Sequence, residues 1–387
     1  MLSKLSCATI GRQVPERLNV GIDMGKRKWA VDVLDMRSGR HQARTFTGDD
    51  CADKTYSLIA ELRKTNRDVD VIYEAGRNGF TPARCMTAMG ASVAILPVNK
   101  LQVVKAGKKA KTDGLDAREL SERDARDPAL PRVWVPPTDV ECRRQMIREQ
   151  QRLKKDIRRN NSRILSILER WPVGCTHGHR SVGTWCKQLK QWEQDGTVPT
   201  SLPRTEVLTI ISLVRELKAL EDNLADWEEQ MALERQDQRG KAAQAGRPAD
   251  IDVLQQYKGL GEDTVTNLCW YVGDFSRFSS GKKFAAYIGI VPVPWQSGMM
   301  TKCQGISKAG SPALRRLMVE LAWLWVRYQP DSVITRKWTP RLAEKGRSRK
   351  KAIVAVARQL AVALLQRLNH GIELEGAIKN KPLASRS

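Results

Sequence analysis

The sequence predicts a mixed α/β domain at the N-terminal end, then a coiled-coil helical insertion, and then an α-helical C-terminal domain. Three observations indicate this order. Strand and helix patterns alternate between residues 18 and 123, a repeat of apolar residues every three or four positions follows, and helical patterns with glycine-rich turns fill the rest. A chain of 387 residues is too long for one ordinary core, so two or three domains are expected.

The first block contains five short apolar or alternating runs, which predict strands at residues 18–23, 29–34, 41–46, 70–74 and 91–96. A short polar turn joins the first two runs, which therefore read as a β-hairpin. Helices are predicted at residues 54–64 and 80–89, and a further helix follows the last strand. Three strands followed by alternating helices and strands are typical of a mixed sheet covered by helices.

Two long helices make up the second block. In the first, residues 146–171, positions spaced four and three apart form a seam that is apolar except at Gln150 and Asn160. The second helix carries the same spacing from Ile210 to Met231. The first is basic and the second is acid-rich, so they suit antiparallel packing, either within one chain or between subunits. The sequence leaves both alternatives open.

Two connections are predicted to lack regular structure: residues 172–204, which contain glycines, and residues 235–250, which read as a polar linker. The first includes four zinc-type ligands close together, namely Cys175, His177, His179 and Cys186. Their spacing matches no regular zinc finger or ribbon, so an incidental cluster is favoured over a metal site. The eight cysteines form no paired framework, which suits a reducing cytoplasm.

The net charge of +23 is the strongest bulk signal. A chain this basic binds a polyanion or carries a destabilising self-repulsion, and nucleic acid is the commonest such partner. The alternative, a cationic surface that only aids solubility, is less favoured. No apolar run approaches the roughly 20 residues that span a bilayer, and the first residues lack the apolar core of a signal peptide. We therefore expect a cytoplasmic protein that binds nucleic acid and has no membrane partner.

Four acidic residues lie where a metal site could form. Asp23 follows the apolar run of the first strand, and Glu74 ends the fourth strand. Asp113 and Asp116 are three residues apart, so a helix places both on one face, where their charges repel unless a cation bridges them. Two-metal phosphoryl chemistry needs such carboxylates to hold Mg²⁺ ions roughly 4 Å apart. Taken alone, an aspartate at a helix start is more often a cap than a metal ligand.

Three segments in combination resemble one family: Val20-Gly21-Ile22-Asp23, Tyr73-Glu74-Ala75 and Lys111-Thr112-Asp113-Gly114-Leu115-Asp116-Ala117-Arg118. They are similar to the DEDD transposases, insertion-sequence recombinases whose N-terminal domain resembles the RuvC Holliday-junction resolvase. The resemblance implies an RNase H-like (RuvC-like) fold for the first block and a transposase domain for the last. It also implies that Mg²⁺, as one ion or two, is bound by Asp23, Glu74, Asp113 and Asp116.

The last block extends the resemblance. Gly259-Leu260-Gly261 forms a G-x-G turn between helices, which can expose backbone N–H groups to a phosphate. This turn resembles the helix-hairpin-helix start of the family's C-terminal domain. Residues 278–289 and 305–310 continue the match.

Ser297 lies between these two matching segments and precedes a glycine. A serine that attacks a phosphodiester needs an exposed hydroxyl and nearby cations, and four cations follow it: Lys302, Lys308, Arg315 and Arg316. The resemblance implies that Ser297 is the nucleophile, which forms a 5′-phosphoserine linkage to cut DNA. Alternatively, Ser297 is only a turn residue and another serine is the nucleophile. The rival serines are Ser279, Ser280, Ser307 and Ser311, and Ser307 is the strongest of them.

The resemblance implies three kinds of partner: donor and target DNA, a structured non-coding guide RNA that pairs with both, and further copies of the chain as a homo-oligomer (dimer or tetramer). Composition supports only polyanion binding. Basic residues expected to contact nucleic acid are Lys108, Lys109, Lys111, Arg148, Arg152, Lys155, Arg159, Lys302, Lys308, Arg315, Arg316, Arg347 and Lys350. The expected domains are a RuvC-like DEDD domain at 16–130, a coiled coil at 138–235 and a C-terminal transposase domain at 251–375.

The favoured function is a DNA transposase or recombinase that cuts and rejoins DNA through a serine–DNA intermediate, with Mg²⁺ on the DEDD carboxylates and an RNA guide. One alternative is a Mg²⁺-dependent RuvC-like junction nuclease that uses water, in which Ser297 is structural. Another is a non-catalytic basic scaffold that binds RNA or DNA. If the two sites act together, they come either from one subunit or from two.

Overall fold

A computed structural model of the chain describes residues 16–65, 67–97, 113–127, 130–171, 181–194, 201–297 and 300–380. The chain divides into two compact units, Met1–Pro137 and Thr138–Ser387. The first unit is mixed α/β and the second is largely helical, which confirms the predicted order of fold classes. The finer domain limits given above, including a coiled-coil domain separate from the C-terminal one, stay a prediction.

The sheet of the first unit has five strands: β1 (Arg17–Met24), β2 (Lys28–Asp35), β3 (His41–Thr47), β4 (Asp68–Glu74) and β5 (Ser92–Leu96). Their order across the sheet is β3-β2-β1-β4-β5. β2 pairs antiparallel with both β1 and β3, whereas the β1–β4 and β4–β5 pairs are parallel. Only β2 therefore runs against the other strands. All five predicted strands and the β1–β2 hairpin are confirmed.

Three helices cover this sheet: α1 (Cys51–Lys64), α2 (Thr81–Ala88) and α3 (Asp113–Arg126). On one face, Leu58 of α1 and Met86 of α2 pack into a core with Tyr73 of β4. On the other face, Leu120 of α3 packs with Ile72. Adjacent residues of β4 are thus buried on opposite faces, which explains why Val71, Ile72 and Tyr73 are apolar in succession rather than in alternation.

Gly21 allows α3 to approach β1 closely. A Cβ atom placed on Gly21 would lie 2.0 Å from the Ala117 carbonyl oxygen and 2.6 Å from the Ser121 backbone nitrogen. No side chain fits so small a gap, because non-bonded heavy atoms pack at about 3.5–4.0 Å. The backbone of the helix therefore rests directly on the backbone of the strand.

The second unit begins with three helices: α4 (Thr138–Arg170), α5 (Val182–Gln194) and α6 (Arg204–Gln244). α4 and α6 pack along each other in antiparallel order, because their cross-helix bonds pair Gln150 with Glu228, Asn160 with Glu216, and Arg170 with Glu206. Both polar positions of the predicted seam thus meet a carboxylate of the other helix. The structure confirms antiparallel packing within the chain, the first of the two alternatives.

α5 corrects the prediction that residues 172–204 lack regular structure. Trp185 and Trp192 of this helix are buried against α4 and α6, and the Trp185 indole N–H donates to the Asn161 side chain at 2.9 Å. Its apolar residues recur at helical spacing, a short signal that glycines on either side obscured. Cys186 lies within α5 and is half-buried; the rest of the Cys/His cluster lies outside the described residues.

The remainder of the second unit contains α7 (Asp250–Gln255), α8 (Glu262–Val272), α9 (Gly281–Ile288), β6 (Pro292–Ser297), β7 (Met300–Ile306), α10 (Pro312–Tyr328), α11 (Val333–Ala343) and α12 (Arg347–His370). Its helices enclose a core that includes the fully buried Trp270, Phe284 and Trp325. Ile147 of α4 and Met231 of α6 pack into the same core. One end of the α4–α6 pair is therefore anchored there.

Two predictions for this unit were wrong. The linker at residues 235–250 is helical up to Gln244, because Ala, Gln, Lys and Arg favour a helix and Arg239 donates to Asp252 and Glu262, each at 2.7 Å. The C-terminal block is also not purely helical. β6 and β7 form an antiparallel hairpin, in a segment where alternating prolines exclude a helix.

One helix among the described residues, α12, is long and apolar enough to cross a membrane by length and composition alone. This differs from the expectation that no such segment exists. Eight of its side chains are buried, and most of these pack in the core described above. The buried side chains are Ala352, Ile353, Val356, Ala357, Leu360, Ala361, Leu364 and Leu365. A core helix has the same composition, which accounts for the apolar character of α12.

Replacing Gly21 by alanine tests the close contact of α3 with β1. We expect Gly21→Ala to lower the free energy of unfolding by about 1–3 kcal/mol, because the new Cβ collides with backbone atoms of α3. Urea denaturation followed by circular dichroism measures the change. Gly114→Ala is the matched control, since its Cβ meets nothing within 4 Å and alanine favours a helix. Equal losses in the two variants would contradict the contact.

Candidate active site

The strands β1 and β4 place Asp23 and Glu74 at neighbouring positions. They are parallel neighbours, and Ile22 pairs with Tyr73. Asp23 and Glu74 are the next residues, so both acids lie where adjacent strands end, at the same level of the sheet. Asp23 is half-buried and Glu74 is exposed.

Both acids lie on the face of the sheet that α3 covers. Gly21 contacts the backbone of α3, and Ile72 packs with Leu120 of the same helix. Successive residues of a strand point to opposite faces. Asp23 and Glu74, each two residues further along its strand, therefore share the face of α3.

The direction of α3 brings two more acids to this edge. At the start of β2, Lys28 pairs with Asp113 at 2.9 Å, and further along β2 the Ser121 hydroxyl donates to Asp32 at 2.5 Å. α3 therefore runs alongside β2 and against β1. Its first turn, which contains Asp113 and Asp116, lies at the edge of the sheet where β1 ends.

The four predicted acids thus share one edge of the sheet, which we call the acidic edge, without converging on one point. Among the described residues, no group of three or more Asp, Glu, His or Cys side chains is close enough to hold a metal ion. Asp113 is paired with Lys28, and each of these side chains is 52% exposed. Lys28 was not predicted, because a lysine in the polar turn of a hairpin is ordinary.

A buried polar network fixes α3 on the sheet. Asp32 is 1% exposed, and its carboxylate accepts hydrogen bonds from Ser121 at 2.5 Å and from the His41 Nδ1 at 2.8 Å. The His41 Nε2 lies 3.6 Å from a Glu122 oxygen. The network joins α3 to β2 and β3. An aspartate inside an otherwise apolar strand was the sequence signal for it.

Ser297 lies at a strand end in the second unit. It is the last residue of β6, and its backbone pairs with Met300 of β7. The two residues between them lie outside the described residues. Lys302 follows on β7, where it pairs in register with Trp295. The predicted nucleophile is thus mounted on the β-hairpin that the sequence did not predict.

Two of the four rival serines have structural roles, and the hydroxyl of a third is buried. Ser280 and Ser311 cap α9 and α10, because their side chains accept from the Lys283 and Leu314 backbone N–H groups. The Ser307 Oγ atom is buried and has no hydrogen-bond partner among the described residues. A buried hydroxyl is poorly placed to attack DNA. Of the rivals, the exposed Ser279 stays available.

Most predicted nucleic-acid contacts fall on exposed positions. Exposed are Arg148, Arg152, Lys155, Arg159, Lys308, Arg316, Arg347 and Lys350. Arg315 is half-buried and donates to the Gly310 carbonyl oxygen at 3.4 Å. Lys108, Lys109 and Lys111 lie outside the described residues.

The G-x-G turn is electrostatically unsuited to phosphate. Gly261 caps α8, whose first turn contains Glu262 and Asp263. A helix N-terminus attracts anions, but these two carboxylates already supply the negative charge. They pair with Arg239 at 2.7 Å and Arg235 at 3.5 Å. The turn is therefore better explained as a structural joint between helices.

Comparison with known proteins shows which family contains this chain. Residues 20–171 match a family model for the DEDD transposases of IS110, and residues 251–336 match the Transposase IS116/IS110/IS902 family. The candidate transposase y4rJ of Sinorhizobium fredii is 31% identical over 384 residues, which cover 94% of each chain. The chain belongs to the IS110 family of DEDD transposases.

Other relatives of this transposase agree. A second Sinorhizobium fredii candidate transposase, y4qE, is 26% identical over 315 residues, which are 80% of this chain and 72% of the relative. The pilin gene-inverting protein of Moraxella lacunata is 28% identical over 116 residues, which are 28% of this chain and 33% of the relative. As a transposase, the chain is an enzyme that acts on DNA by cleavage and rejoining.

Removing the Ser121 hydroxyl tests the network that fixes α3. We expect Ser121→Ala to lower the free energy of unfolding by roughly 1–3 kcal/mol, because the buried Asp32 carboxylate loses a short hydrogen bond. The melting temperature, followed by circular dichroism, should fall accordingly. Ser57→Ala, on the exposed side of α1, should leave it unchanged. An unchanged melting temperature in Ser121→Ala would show that the network is dispensable.

Proposed function

We propose that this IS110-family transposase cuts and rejoins DNA through a covalent serine–DNA intermediate, with Mg²⁺ held at the acidic edge and an RNA that guides the choice of site. The main support for this proposal is that four acids from three separate segments of the sequence lie at the same edge of the sheet. These acids are Asp23, Glu74, Asp113 and Asp116. They share an edge only because of the strand order and the direction of α3.

The fold proposed for the first unit is RNase H-like, of the RuvC type. Its support is the sheet itself, in which three antiparallel strands are extended by two strands parallel to β1. Helices cover both faces, and the acidic edge lies at the end of the central strand. In such a unit the sheet supplies a rigid mount for acids at its edge.

The acidic edge fits Mg²⁺ by the chemistry of its donors, but the described side chains are not close enough together to form a metal site as they stand. Carboxylate oxygens are the ligands that this cation prefers, and Asp23, Glu74, Asp113 and Asp116 would hold it. Bound there, the metal would stabilise the charge that develops on a phosphate as it is cut. The Lys28–Asp113 pair is half-exposed, and such pairs contribute at most about 1 kcal/mol, so a divalent cation can displace the lysine.

Ser297 is the proposed nucleophile. Its oxygen attacks the scissile phosphorus, the bond from phosphorus to the 3′ oxygen breaks, and the serine proton passes to that oxygen. The product is a 5′-phosphoserine and a free 3′ hydroxyl. Because the phosphoester bond is conserved, attack by a 3′ hydroxyl on this linkage rejoins DNA without an energy source. The capping roles of Ser280 and Ser311, the burial of the Ser307 hydroxyl and the position of Ser297 at a strand end support this assignment.

A guide RNA and an oligomer complete the proposal. The net charge of +23 supports binding of a polyanion, and the family resemblance supports RNA as one such partner beside DNA. A dimer or tetramer would present several copies of Ser297 and of the acidic edge to the donor and target strands. Exchange of strands between two DNA molecules needs several cuts, which one serine in one subunit does not supply.

Trapping the covalent intermediate tests the nucleophile. We expect the wild-type enzyme, with its DNA and RNA, to yield a protein–DNA adduct that survives denaturing electrophoresis. Ser297→Ala should abolish the adduct because no oxygen is left to attack, while Ser279→Ala and Ser307→Ala should retain it. DNA cleavage by Ser297→Ala without an adduct would instead support a nuclease that uses water. Undiminished binding and no cleavage by the wild-type enzyme would support the non-catalytic scaffold.

A direct metal-binding measurement tests the acidic edge without reference to catalysis. We expect Asp116→Asn to weaken Mn²⁺ binding, measured by electron paramagnetic resonance, about tenfold or more, because a charged oxygen ligand is lost. Asp53→Asn removes an equal charge from the exposed side of α1 and should leave the affinity unchanged. Equal effects of the two variants would mean that Mn²⁺ responds only to net charge.

A further inference from the structure

Some basic side chains of α4 are used inside the second unit. Arg144 donates to the carbonyl oxygens of Tyr271 and Val272, at 3.0 and 3.3 Å. Lys154 binds Glu228 of α6 at 2.8 Å, and this ammonium group lowers the pKa of the Glu228 carboxyl. These contacts explain part of the positive charge of α4 as packing against its neighbours. They do not explain the rest.

Six of the other basic residues form one exposed row, which we call the basic stripe: Arg148, Arg152, Lys155, Arg159, Arg163 and Arg170. With 3.6 residues per turn, they fall within about 80° of the circumference of α4, and between Arg148 and Arg170 no acidic residue lies in that arc. The buried Leu153, Ile164 and Leu168 lie on the other side of the helix. Apart from Arg170, which pairs with Glu206, the stripe is therefore not used in packing against α6.

Two acids at the margin of the stripe do not cancel it. Glu149 pairs with Arg152. Asp156 pairs with both Arg152 and Arg159, and each of these two distances is 3.2 Å. Both arginine side chains are mostly exposed, at 58% and 65%. Because both guanidinium groups stay largely exposed, they can contact phosphate oxygens while these pairs remain in place.

A groove between α4 and α6 borders the end of the stripe. Its volume is about 550 Å³, and its polar lining includes Arg159, Ser162, Arg163, Ser166, Arg170 and Thr209. Guanidinium groups together with hydroxyl groups are the donors that usually bind phosphate oxygens. Glu206 also lines the groove, where it is paired with Arg170 at 3.1 Å. The stripe thus ends at a concave site with several donors for one or two phosphates.

Charge is distributed unequally over the α4–α6 pair. Between residues 215 and 229, the exposed charged residues of α6 are five acids and only two bases, and the acids are Glu216, Asp222, Asp226, Glu228 and Glu229. A polyanion is therefore attracted to the stripe on α4 and repelled by the acidic side of α6. Such an asymmetry fixes which side of the pair meets the nucleic acid.

The dimensions of the stripe favour DNA. From Arg148 to Arg170 it spans 22 residues, or about 33 Å at 1.5 Å per residue, which is close to one turn of B-form DNA, about 34 Å. The major groove of B-form DNA, about 12 Å wide, admits a helix, whereas side chains cannot read the deep and narrow major groove of an RNA duplex.

We propose that the basic stripe of α4, with the adjoining groove, docks the phosphate backbone of duplex DNA. This surface is separate from Ser297 and from the acidic edge in sequence, and its role does not depend on their proposed chemistry.

Salt-dependent binding tests the stripe in the full chain. The probe is a fluorescein-labelled, mixed-sequence DNA duplex of about 30 base pairs, in EDTA, and fluorescence anisotropy gives the binding constant at several salt concentrations. We expect Arg159→Gln/Arg163→Gln to weaken binding roughly tenfold near physiological salt. The slope of log K against log salt should become shallower by about 2, or about 0.9 for each lost phosphate contact. Arg159→Lys/Arg163→Lys keeps both charges and should restore most of the slope.

The matched control removes two charges from elsewhere on the same pair of helices. Arg215 and Lys218 are exposed on α6, on the side away from the groove, so Arg215→Gln/Lys218→Gln should leave the slope unchanged. Equal losses in the two double variants would overturn the proposal in favour of bulk net charge. A loss confined to an RNA duplex of the same length would also overturn it and assign the stripe to RNA. The binding assay contains EDTA, so it does not depend on metal-dependent cleavage. A negative result would therefore leave the proposed roles of Ser297 and of Mg²⁺ unchanged, and a negative result for those roles would leave the proposed role of the stripe unchanged. Melting temperatures of all variants establish that each is folded.

Discussion

The direct contact between the backbones of α3 and β1 at Gly21 is the constraint on which the acidic edge depends. The gap admits no Cβ atom, so the helix is held at one distance from the strand. The hydrogen bond from Ser121 to the buried Asp32 then fixes the position of α3 along the sheet. With distance and position fixed, the first turn of α3 meets the end of β1. A side chain in place of the glycine would lift the helix and carry Asp113 and Asp116 away from Asp23.

Much of the first unit could be predicted, because its strands and helices follow from local pattern. Apolar runs bounded by polar turns gave all five strands, and two of them end in the acids that became candidates, Asp23 and Glu74. The partners of those acids could not be predicted in the same way. Lys28 meets Asp113 only because α3 folds back across the sheet, a contact between residues far apart in the sequence. No periodicity within a window of ten or twenty residues contains that information.

The errors in the second unit have the same physical origin. The polarity of residues 235–244 predicts a linker, yet these residues continue a helix because Arg239 binds carboxylates on the next two helices. Conversely, β6 and β7 are short, and each is stabilised mainly by the other, so neither strand is evident alone. The effect on the candidate site is direct. Ser297 was recognised from its neighbours in sequence, while its mounting on a hairpin required the structure.

The antiparallel ladder between α4 and α6 makes the length of this arm adjustable in discrete steps. Its bonds pair Gln150 with Glu228 and Asn160 with Glu216, so an insertion in only one helix would misalign every pair beyond it. Seven residues added to both helices at facing positions would restore nearly the same facing, because seven residues are close to two turns. The far end would then move outward by about 10 Å. The α4–α6 pair can therefore be lengthened in steps of seven residues per helix, by evolution or by design, without a change in the core at its base.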